Sequence, residues 1–281
     1  MLTYDHPEAV SRFLKGPNYR LDVDGLERLT KEFLKFPYEN ISKIIRFNAA
    51  KGPEDRLRLP DTIVAENEES GLGGTCFSLT YFFETVLKSL GFGCYPVMVD
   101  RSYGENTHCA LVVTLNRQKY LVDPGFCLSR PIPLTDEEMK HNLPHNTYII
   151  TPIRHPHESA APAAYAGMTS LRGNDKMYYA LATNQLGRTK SRYLLKDTPV
   201  SPSDFLKFWE ASFNWPMMRQ ICVTRLGEEG YIYLRNDFLR NVTRFGKKQE
   251  RIKSSFEGRV EAQFGISAKK VEEARALIKR S

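Results

Sequence analysis

Apolar residues in the first ~90 positions recur at the three-to-four-residue spacing of one helix face. Residues 7–14 predict a short first helix, and Asp22 or Asp24 can cap a second one. The apolar face of that second helix carries Leu26, Leu29, Phe33 and Leu34. Pro37 ends the helical pattern, because the residue before a proline avoids helical geometry. A stretch at 51–61, rich in proline, glycine and charge, predicts a surface connection.

Another helical pattern begins at Cys76 and ends near Leu90, where Gly91 provides a natural stop. Its apolar residues recur closely enough that the helix is expected to be buried. Three glycines, at positions 71, 73 and 74, come shortly before Cys76. Glycine allows tight turns and close backbone contacts, so Cys76 is predicted to begin a helix directly after a tight loop.

From Gly93 the apolar period changes toward two, and β-branched and aromatic residues accumulate, which favours strands. The first three predicted strands are 94–101, 108–115 and 119–123. The short turn formed by residues 116–118 makes the last two of these a hairpin. Further predicted strands are 147–151, 177–183, 190–195, 219–225 and 230–234, with a hairpin turn at 226–230.

The C-terminal part combines the helical spacing of three to four residues with the strand period of two. Residues 154–175 are rich in proline, alanine and glycine, and they predict a long irregular loop. The segment 201–204, Ser-Pro-Ser-Asp, caps a helix that reaches about Phe213. We interpret the basic run at 244–253 as a solvated helix start and predict helix from about 248 to 279. A helical start, a β-rich middle and a mixed end are typical of the α+β class.

The composition limits which cellular compartment and which kinds of partner are expected. The 281 residues are 41% hydrophobic and 26% charged, which is ordinary for a soluble globular protein. No apolar run approaches the ~20 residues of a membrane helix, and the first residues lack the features of a signal peptide. Five cysteines are an odd number without two-residue gaps, so a reduced, cytoplasmic compartment is expected.

The net charge of +7 is scattered along the chain, so neither a nucleic-acid nor a membrane partner is expected. His141 and His145 are four residues apart, but Pro144 disfavours a metal-binding helix face between them. His155 and His157 have no acidic or cysteine partner at metal spacing. We therefore predict no metal site, and no phosphate-loop or dinucleotide glycine pattern is present.

Cys76, His108 and Asp123 are each predicted to lie at the end of an element. A thiol attacks as the thiolate, and both a helix N-terminus and a nearby imidazolium lower its pKa from about 8.5. The hairpin turn lies midway between His108 and Asp123, so both are expected at the same open end, where the carboxylate orients the ring. The placement of Cys76 beside them rests on chemistry rather than on spacing.

Each of these residues also has a structural explanation. A cysteine at a helix start is more often structural, and a strand histidine is usually a satisfied polar group. An aspartate before Pro-Gly is normally a turn residue. The combination of all three with the glycine cluster and the hairpin favours a Cys-His-Asp site that transfers acyl groups through a thioester.

Several short motifs follow one another along the chain: FPYENIS (36–42), GGTCF (73–77), LGF (90–92), THCALVV (107–113), YLVDPGF (120–126), SRPIPL (129–134), VSPSDF (200–205) and FGIS (264–267). In this order and combination they resemble the arylamine N-acetyltransferase family over nearly the whole chain. The resemblance implies a core like that of cysteine proteases and transglutaminases. It implies a helical bundle at 1–91 with the nucleophile, a β-barrel-like domain at 92–195 with the histidine and aspartate, and an α/β lid at 196–281.

The resemblance also implies a reaction. Cys76 would take an acetyl group from acetyl-CoA, and an arylamine, hydrazine or hydroxylamine would then accept it in a ping-pong sequence. His108 would shuttle protons and Asp123 would hold its ring. Tyr38 and Phe126 align with aromatic positions of the substrate pocket. The implied partners are a CoA thioester donor and a small amine acceptor, in a monomer or homodimer.

The sequence departs from the family pattern at four positions. Leu72 stands where an arginine precedes the paired glycines, Ser78 where a glutamate follows the nucleophile, and Thr80 where an asparagine follows. Cys127 stands where a glycine is usual. The first three changes predict apolar replacement of an internal polar network, which can be neutral for stability.

Three other functions are compatible with these residues. An amide synthase of the same fold would take its acyl group from a carrier-bound or longer thioester. A papain- or transglutaminase-like enzyme would pass the acyl group to water or lysine. A binding module with a decayed site would transfer nothing.

Overall fold

The computed structural model describes residues 5–15, 19–143, 145–153, 177–185 and 187–280. The loop predicted at 154–175 lies outside these residues. The helices of the described ranges are α1 (Pro7–Phe13), α2 (Val23–Phe33), α3 (Ile41–Ala49), α4 (Pro60–Ser70), α5 (Cys76–Ser89), α6 (Pro202–Ala211), α7 (Phe256–Phe264) and α8 (Ala268–Arg280). Short 3-10 turns add Glu54–Arg56, Ser212–Asn214 and Pro216–Arg219.

The strands form two sheets. They are β1 (Tyr38–Glu39), β2 (Gly93–Arg101), β3 (Gly104–Leu115), β4 (Gln118–Val122), β5 (Ile132–Leu134), β6 (Met139–Leu143), β7 (Asn146–Ile153), β8 (Tyr178–Gln185), β9 (Arg188–Pro199), β10 (Cys222–Leu226), β11 (Gly230–Arg235), β12 (Phe238–Thr243) and β13 (Gly246–Arg251). Eight of them make an antiparallel sheet in the order β5-β4-β3-β2-β9-β8-β7-β6, which curls into a nearly closed barrel. The other five follow the order β1-β10-β11-β12-β13.

Helix α5 is the central helix of the N-terminal region. Every residue from Cys76 to Leu87 is buried, so the helix is covered on all sides rather than along one stripe. Phe82 and Phe83 on it meet Phe33 of α2, and the stacked rings of Phe33 and Phe83 are 4.3 Å apart. The α2 helix begins as predicted, because Asp22 accepts a hydrogen bond from the Gly25 N–H at 2.8 Å.

The hairpin of β3 and β4 forms where the sequence predicted it. Asn116 and Arg117 make the two-residue turn, with φ of +48° and +67°, as a right-twisted hairpin requires. Leu111 pairs with Val122, and the register continues to the turn. The strand β3 begins at Gly104, however, so His108 lies inside the strand rather than at its first residue.

The prediction for residues 244–251 was wrong. They form a turn and the edge strand β13 instead of a helix start, and helix begins only at Phe256. A charged run suits a solvated helix and an edge strand equally well, and charged side chains on an edge strand discourage pairing with other molecules. The strands β1, β5, β6 and β12 were also missed.

The α+β class is confirmed, with a helical N-terminal region, a barrel-like sheet and an α/β C-terminal region. The exact domain boundaries stay a prediction. One strand crosses between regions, because Tyr38 and Glu39 of β1 pair with Thr224 and Val223 of β10. Within the described ranges, no helix has the length and apolar content needed to span a membrane.

Candidate active site

Cys76 is the first residue of α5, and it is buried. The N–H of Thr75, just before it, donates to the Ser78 hydroxyl at 3.1 Å, which fixes the first turn. The first N–H groups of a helix have no partner within the helix and carry partial positive charge. The sulfur therefore stands where an anion is stabilised.

The glycine loop before Cys76 is fastened to the segment around Pro37. Gly74 donates its N–H to the Pro37 carbonyl at 3.2 Å and accepts from the Glu39 N–H at 2.9 Å. A Cβ atom at Gly73 would come within 1.8 Å of the Pro37 oxygen, so no larger residue fits there. This contact explains why the chemistry is preceded by paired glycines.

His108 and Asp123 come together at the open end of the β3–β4 hairpin. The His108 Nε2 atom lies 2.8 Å from Asp123 Oδ2, and both side chains are buried. The other carboxylate oxygen of Asp123 accepts the Phe126 N–H at 2.8 Å. The carboxylate is thus held on one side by the backbone and orients the ring on the other.

Cys76 and His108 meet over the backbone of Gly125. A Cβ atom placed on Gly125 would lie 2.6 Å from the Cys76 Cβ and 2.9 Å from the His108 Cε1. The ring of His108 therefore lies beside the sulfur, and each group shifts the pKa of the other. The structure therefore brings together the three residues that the sequence singled out.

The charges of the site favour an ion pair. The hydrogen bond from Cys109, and then the hydrogen bond and charge of His108, set the pKa of Cys76 well below its ordinary value in spite of burial. Burial lowers the pKa of His108, but the charge and hydrogen bond of Asp123 prevail and raise it to about 9. A thiolate beside an imidazolium follows at neutral pH.

The other four cysteines have raised pKa values. Burial raises the pKa of Cys94 and of Cys127 to about 12 and that of Cys222 to about 11. Burial and the neighbouring Cys76 likewise raise the pKa of Cys109. One thiol of the five is therefore distinguished by its surroundings.

Three further side chains of the site were not found from the sequence. Cys109, the neighbour of His108 on β3, lowers the pKa of Cys76, although strand alternation predicts that its side chain leaves β3 on the opposite face from His108. Lys43 of α3 is buried near the sulfur. Tyr193 is fully buried with its ring centre 5.7 Å from that of His108. These side chains are brought to the site by contacts between distant parts of the chain, so no local pattern in the sequence marks them.

Tyr38 and Phe126 both lie at the site. Burial, and then the charge of Cys76, raise the pKa of Tyr38, which also bridges to Gly74. The ring of Phe126 is 5.4 Å from that of Tyr193. Tyr38 thus lies near Cys76, and Phe126 is connected to His108 through the ring of Tyr193.

The expected loss of a polar network near the glycines was wrong. Leu72 does join an apolar cluster, but Arg58 brings a buried guanidinium to the same loop. Its Nη1 donates to the Gly73 carbonyl at 2.6 Å and lies 3.8 Å from Glu39 Oε1. Its Nη2 donates to Glu66 at 2.6 Å. The network persists because a residue remote in sequence supplies the cation.

The remaining departures have local consequences. Thr80 donates to the Cys109 carbonyl at 3.4 Å, so its hydroxyl faces β3. Cys127 takes the left-handed conformation, with φ of +57°, in a tight turn closed by its N–H to the Pro124 carbonyl. Such a φ is strained for any residue with a side chain.

In the described part of the chain, no three histidine, cysteine or carboxylate side chains converge as metal ligands would. His145 instead lies 3.1 Å from the Tyr148 hydroxyl, and burial lowers its pKa to about 4. His155 and His157 lie outside the described residues.

Two curated proteins are related to part of this chain. An uncharacterized acetyltransferase of Acanthamoeba polyphaga mimivirus is 31% identical over 115 residues, which cover 32% of this chain and 56% of that protein. Proansamycin X synthase of Amycolatopsis mediterranei is 28% identical over 135 residues, covering 45% of this chain and 50% of the synthase. The chain thus spans about half the length of the curated relatives that it matches.

Solved structures of similar fold match along the full length. The arylamine N-acetyltransferase from Mycobacterium abscessus has a TM-score of 0.77 at 18% identity, covering 99% of this chain and 95% of that one. The enzyme from Salmonella typhimurium has a TM-score of 0.74 at 18% identity and covers 100% of both chains. These likenesses establish the shared fold.

The family model described as N-acetyltransferase matches residues 22–272. That range contains the glycine loop, the start of α5, the β3–β4 hairpin and both sheets. The chain therefore belongs to the arylamine N-acetyltransferase family of acyltransferases.

Proposed function

We propose that this chain transfers an acetyl group from acetyl-CoA to an arylamine, hydrazine or hydroxylamine through an acetyl-Cys76 thioester. The observation that carries the proposal is that His108 and Asp123 lie beside Cys76, the first residue of the buried helix α5. The His108 ring is held 2.8 Å from the Asp123 carboxylate. The lowered pKa of Cys76 and the raised pKa of His108 support it.

In the first half-reaction, the Cys76 thiolate attacks the thioester carbonyl carbon of the donor. The unpartnered N–H groups at the start of α5 stabilise the developing oxyanion. The carbon–sulfur bond to CoA then breaks, and the His108 imidazolium gives its proton to the departing thiolate. The products are free CoA, acetyl-Cys76 and a neutral His108.

In the second half-reaction, the amine attacks the acetyl-Cys76 carbonyl carbon. Neutral His108 accepts the proton of the amine as the new C–N bond forms, and the Cys76 thiolate leaves. Asp123 keeps the ring in place and stabilises its cation. The ion pair present before the first step is thereby restored. Tyr38 and Phe126 supply flat aromatic walls that suit an aromatic acceptor.

An amide synthase with a longer or carrier-bound acyl donor is the second candidate. The relation to proansamycin X synthase, 28% identical over 135 residues, favours it. The same series of residues would serve, because the two reactions differ only in the acyl group and its carrier.

The test is intact-mass spectrometry of the protein after incubation with acetyl-CoA. We expect a gain of one acetyl group, which Cys76→Ser abolishes and the matched variant Cys94→Ser retains. Addition of an arylamine should return the mass to that of the free enzyme and release the N-acetyl product. A gain only with longer or carrier-bound thioesters would select the synthase, and release of free acetate without amine would select a hydrolase.

The ionisation of the nucleophile has its own measurement. Iodoacetamide labelling of Cys76 should proceed at a constant rate through neutral pH, because the thiolate is already formed. Labelling that rises only above about pH 8 would contradict the ion pair.

A further inference from the structure

A small cavity lies beside the first turn of α5. Its volume is about 10 Å³, which is room for one water molecule or one monatomic ion. Three cationic side chains line it, those of Lys43, Arg56 and Arg58, together with Thr75 and Ser78 of that turn. Among the described residues that form its wall there is no carboxylate. The wall is therefore positively charged unless partners outside the cavity balance it.

The charge of Arg58 is balanced from outside the cavity. Its Nε and Nη2 atoms donate to Glu66 Oε2 at 2.9 and 2.6 Å. Its Nη1 atom lies 3.8 Å from Glu39 Oε1. Two carboxylates thus neutralise this guanidinium, which leaves Lys43 and Arg56 as the two cations whose charge needs a partner.

Lys43 is buried, and its hydrogen-bond partners are neutral. Its Nζ atom donates to the Ser212 carbonyl at 3.0 Å and to the Ser212 hydroxyl at 2.5 Å. An ammonium group has three N–H donors, so one donor remains for another acceptor. The two hydrogen bonds to Ser212 hold the ammonium group in place without balancing its charge.

Arg56 has a buried donor that lacks an acceptor. Its Nε atom is enclosed, and nothing in the described ranges accepts its hydrogen. The guanidinium lies on the ring of Phe47, with Cζ 4.9 Å from the ring centre. This contact covers a flat face of the group, while its N–H donors lie in the plane. A buried donor without a partner costs free energy, so a water molecule or an ion is expected at this place.

The charges favour an anion over a water molecule. The first N–H groups of α5, next to the cavity, add partial positive charge. Water would accept hydrogen bonds from Lys43 and Arg56 but would leave both charges without a counterion. An anion accepts the same hydrogen bonds and also pairs with the charges, and buried charges are tolerated when they are paired. The volume of the cavity limits this anion to one small ion.

We propose that this cavity binds one small monovalent anion of the halide class, such as chloride, between Lys43 Nζ and Arg56 Nε. The ion shares the positive charge of Lys43 with the Cys76 thiolate, and it lies beside the turn at which Cys76 begins α5. The inference goes beyond the proposed function and does not rest on it, because binding of the ion requires no reaction at the sulfur.

Chloride NMR tests the site, because the chloride line broadens when the ion exchanges with a protein-bound state. The excess line width is measured at constant ionic strength kept with gluconate, and sulfate is added to occupy cationic groups of the surface. We expect wild type to show a saturable excess width. Bromide should remove it, whereas sulfate, which is too large for the cavity, should not. Arg56→Met and Lys43→Met should each lose more than half of it.

The matched control is Arg244→Met. Arg244 also lies on a ring, with Cζ 4.5 Å from the centre of Phe245, but it belongs to the turn between β12 and β13. This variant removes the same charge and should keep the wild-type excess width. Arg56→Lys keeps the charge without the Nε–H group, so it should retain part of the width, and it decides the question if Arg56→Met does not fold.

Three results would overturn the site. An equal excess width in wild type, Arg56→Met and Lys43→Met, or a width that sulfate abolishes, would mean that chloride contacts only the surface. No excess width in wild type would mean that water fills the cavity.

The labelling of Cys76 gives a second measurement. A bound anion near the thiolate disfavours its charged form, so replacing gluconate with chloride should move the midpoint of iodoacetamide labelling to higher pH. Arg56→Met should not show this movement. An unchanged midpoint in wild type, at chloride concentrations that saturate the NMR signal, would overturn the placement of the ion beside α5. Labelling needs no acyl donor, so the result holds even if the proposed function fails.

Discussion

At the scale of single residues, Lys43 is the least expected feature of the site. Its Nζ donates to the Ser212 carbonyl at 3.0 Å and lies 4.5 Å from the centre of the Phe213 ring. Among the described residues no carboxylate pairs with it. Burial lowers the pKa of Lys43 to about 8, and the charge of Cys76 opposes that shift. The thiolate is therefore the anion that balances this cation.

Lys43→Met should raise the pKa of the Cys76 thiol by about half a unit to one unit, because one of two nearby cations is lost. The rate of iodoacetamide labelling against pH measures this shift, and Lys43→Arg should keep the wild-type profile. An unchanged profile in the methionine variant would show that the lysine does not act on the sulfur.

The same variant has a second signature in stability. The folded protein holds fewer protons on Lys43 than the unfolded chain does between about pH 8 and the ordinary value of 10.5. Wild type should therefore gain stability as pH rises through that window. Lys43→Met should lack this gain and should be at least as stable as wild type at neutral pH, because the lowered pKa shows that burial costs the charged lysine more than its partners return. Urea unfolding at several pH values tests both expectations.

At the scale of elements, the loop before α5 is held by charges from two other segments. Glu39 accepts the Gly73 N–H at 3.2 Å, and Arg58 donates to the carbonyl of the same residue. Both peptide groups of Gly73 are thus fixed by buried side chains. The entry of the chain into α5, and with it the position of the sulfur, depends on this pair.

Arg58→Met should destabilise the fold by about 3 kcal/mol, because it leaves the buried carboxylate of Glu39 without its cation. It should also slow the labelling of Cys76, since the loop loses its anchor. The matched control is Arg244→Met, which removes a guanidinium that stacks on Phe245 at 4.5 Å. If Cys76 of Arg58→Met is labelled at the wild-type rate, with unchanged helical content, the glycine loop keeps its conformation without Arg58.

This network also marks the limit of what the sequence could predict. The helix from Cys76 and the hairpin at Asn116 have local signals, a glycine cluster and a two-residue turn, and both were predicted correctly. Arg58 has no such signal, because its role depends on a partner that is close only in the folded chain.

The error at residues 244–251 has a related cause. A segment with this many charged residues is compatible with an edge strand and with a solvated helix, so its charge does not distinguish the two structures. What decides between them is the pairing of Lys248 with Asn241 across the β12–β13 hairpin, a contact that composition does not encode. Cys76 begins the predicted helix and Asp123 follows the predicted strand β4, so these two positions had a local signal in the sequence.

At the scale of the whole molecule, Asn40 joins the N-terminal region to the C-terminal sheet. Its Nδ2 donates to the carbonyls of Met217 and Gln220 at 2.6 and 2.7 Å, and its Oδ1 accepts the Cys222 N–H at 2.8 Å. The side chain is buried. All three bonds cross between segments that are far apart in sequence.

Asn40→Ala should lower the free energy of unfolding by about 2–4 kcal/mol, because three backbone groups, of which the Cys222 N–H is fully buried, lose their partner. The matched control is Asn48→Ala on α3, which loses one bond to the Ile44 carbonyl within its own helix and should cost below about 1 kcal/mol. Denaturant unfolding measures both. Equal losses in the two variants would mean that the three crossing bonds together stabilise the fold no more than the one bond within α3.

The two-residue strand β1 has a consequence for engineering. Tyr38 and Glu39 contact the glycine loop on one side and β10 on the other. A chimaera that takes residues beyond 220 from a relative would therefore disturb the backbone in front of the sulfur unless residues 36–40 came from the same parent. Functional recombination within this family should accordingly favour crossovers that keep these two distant pieces together.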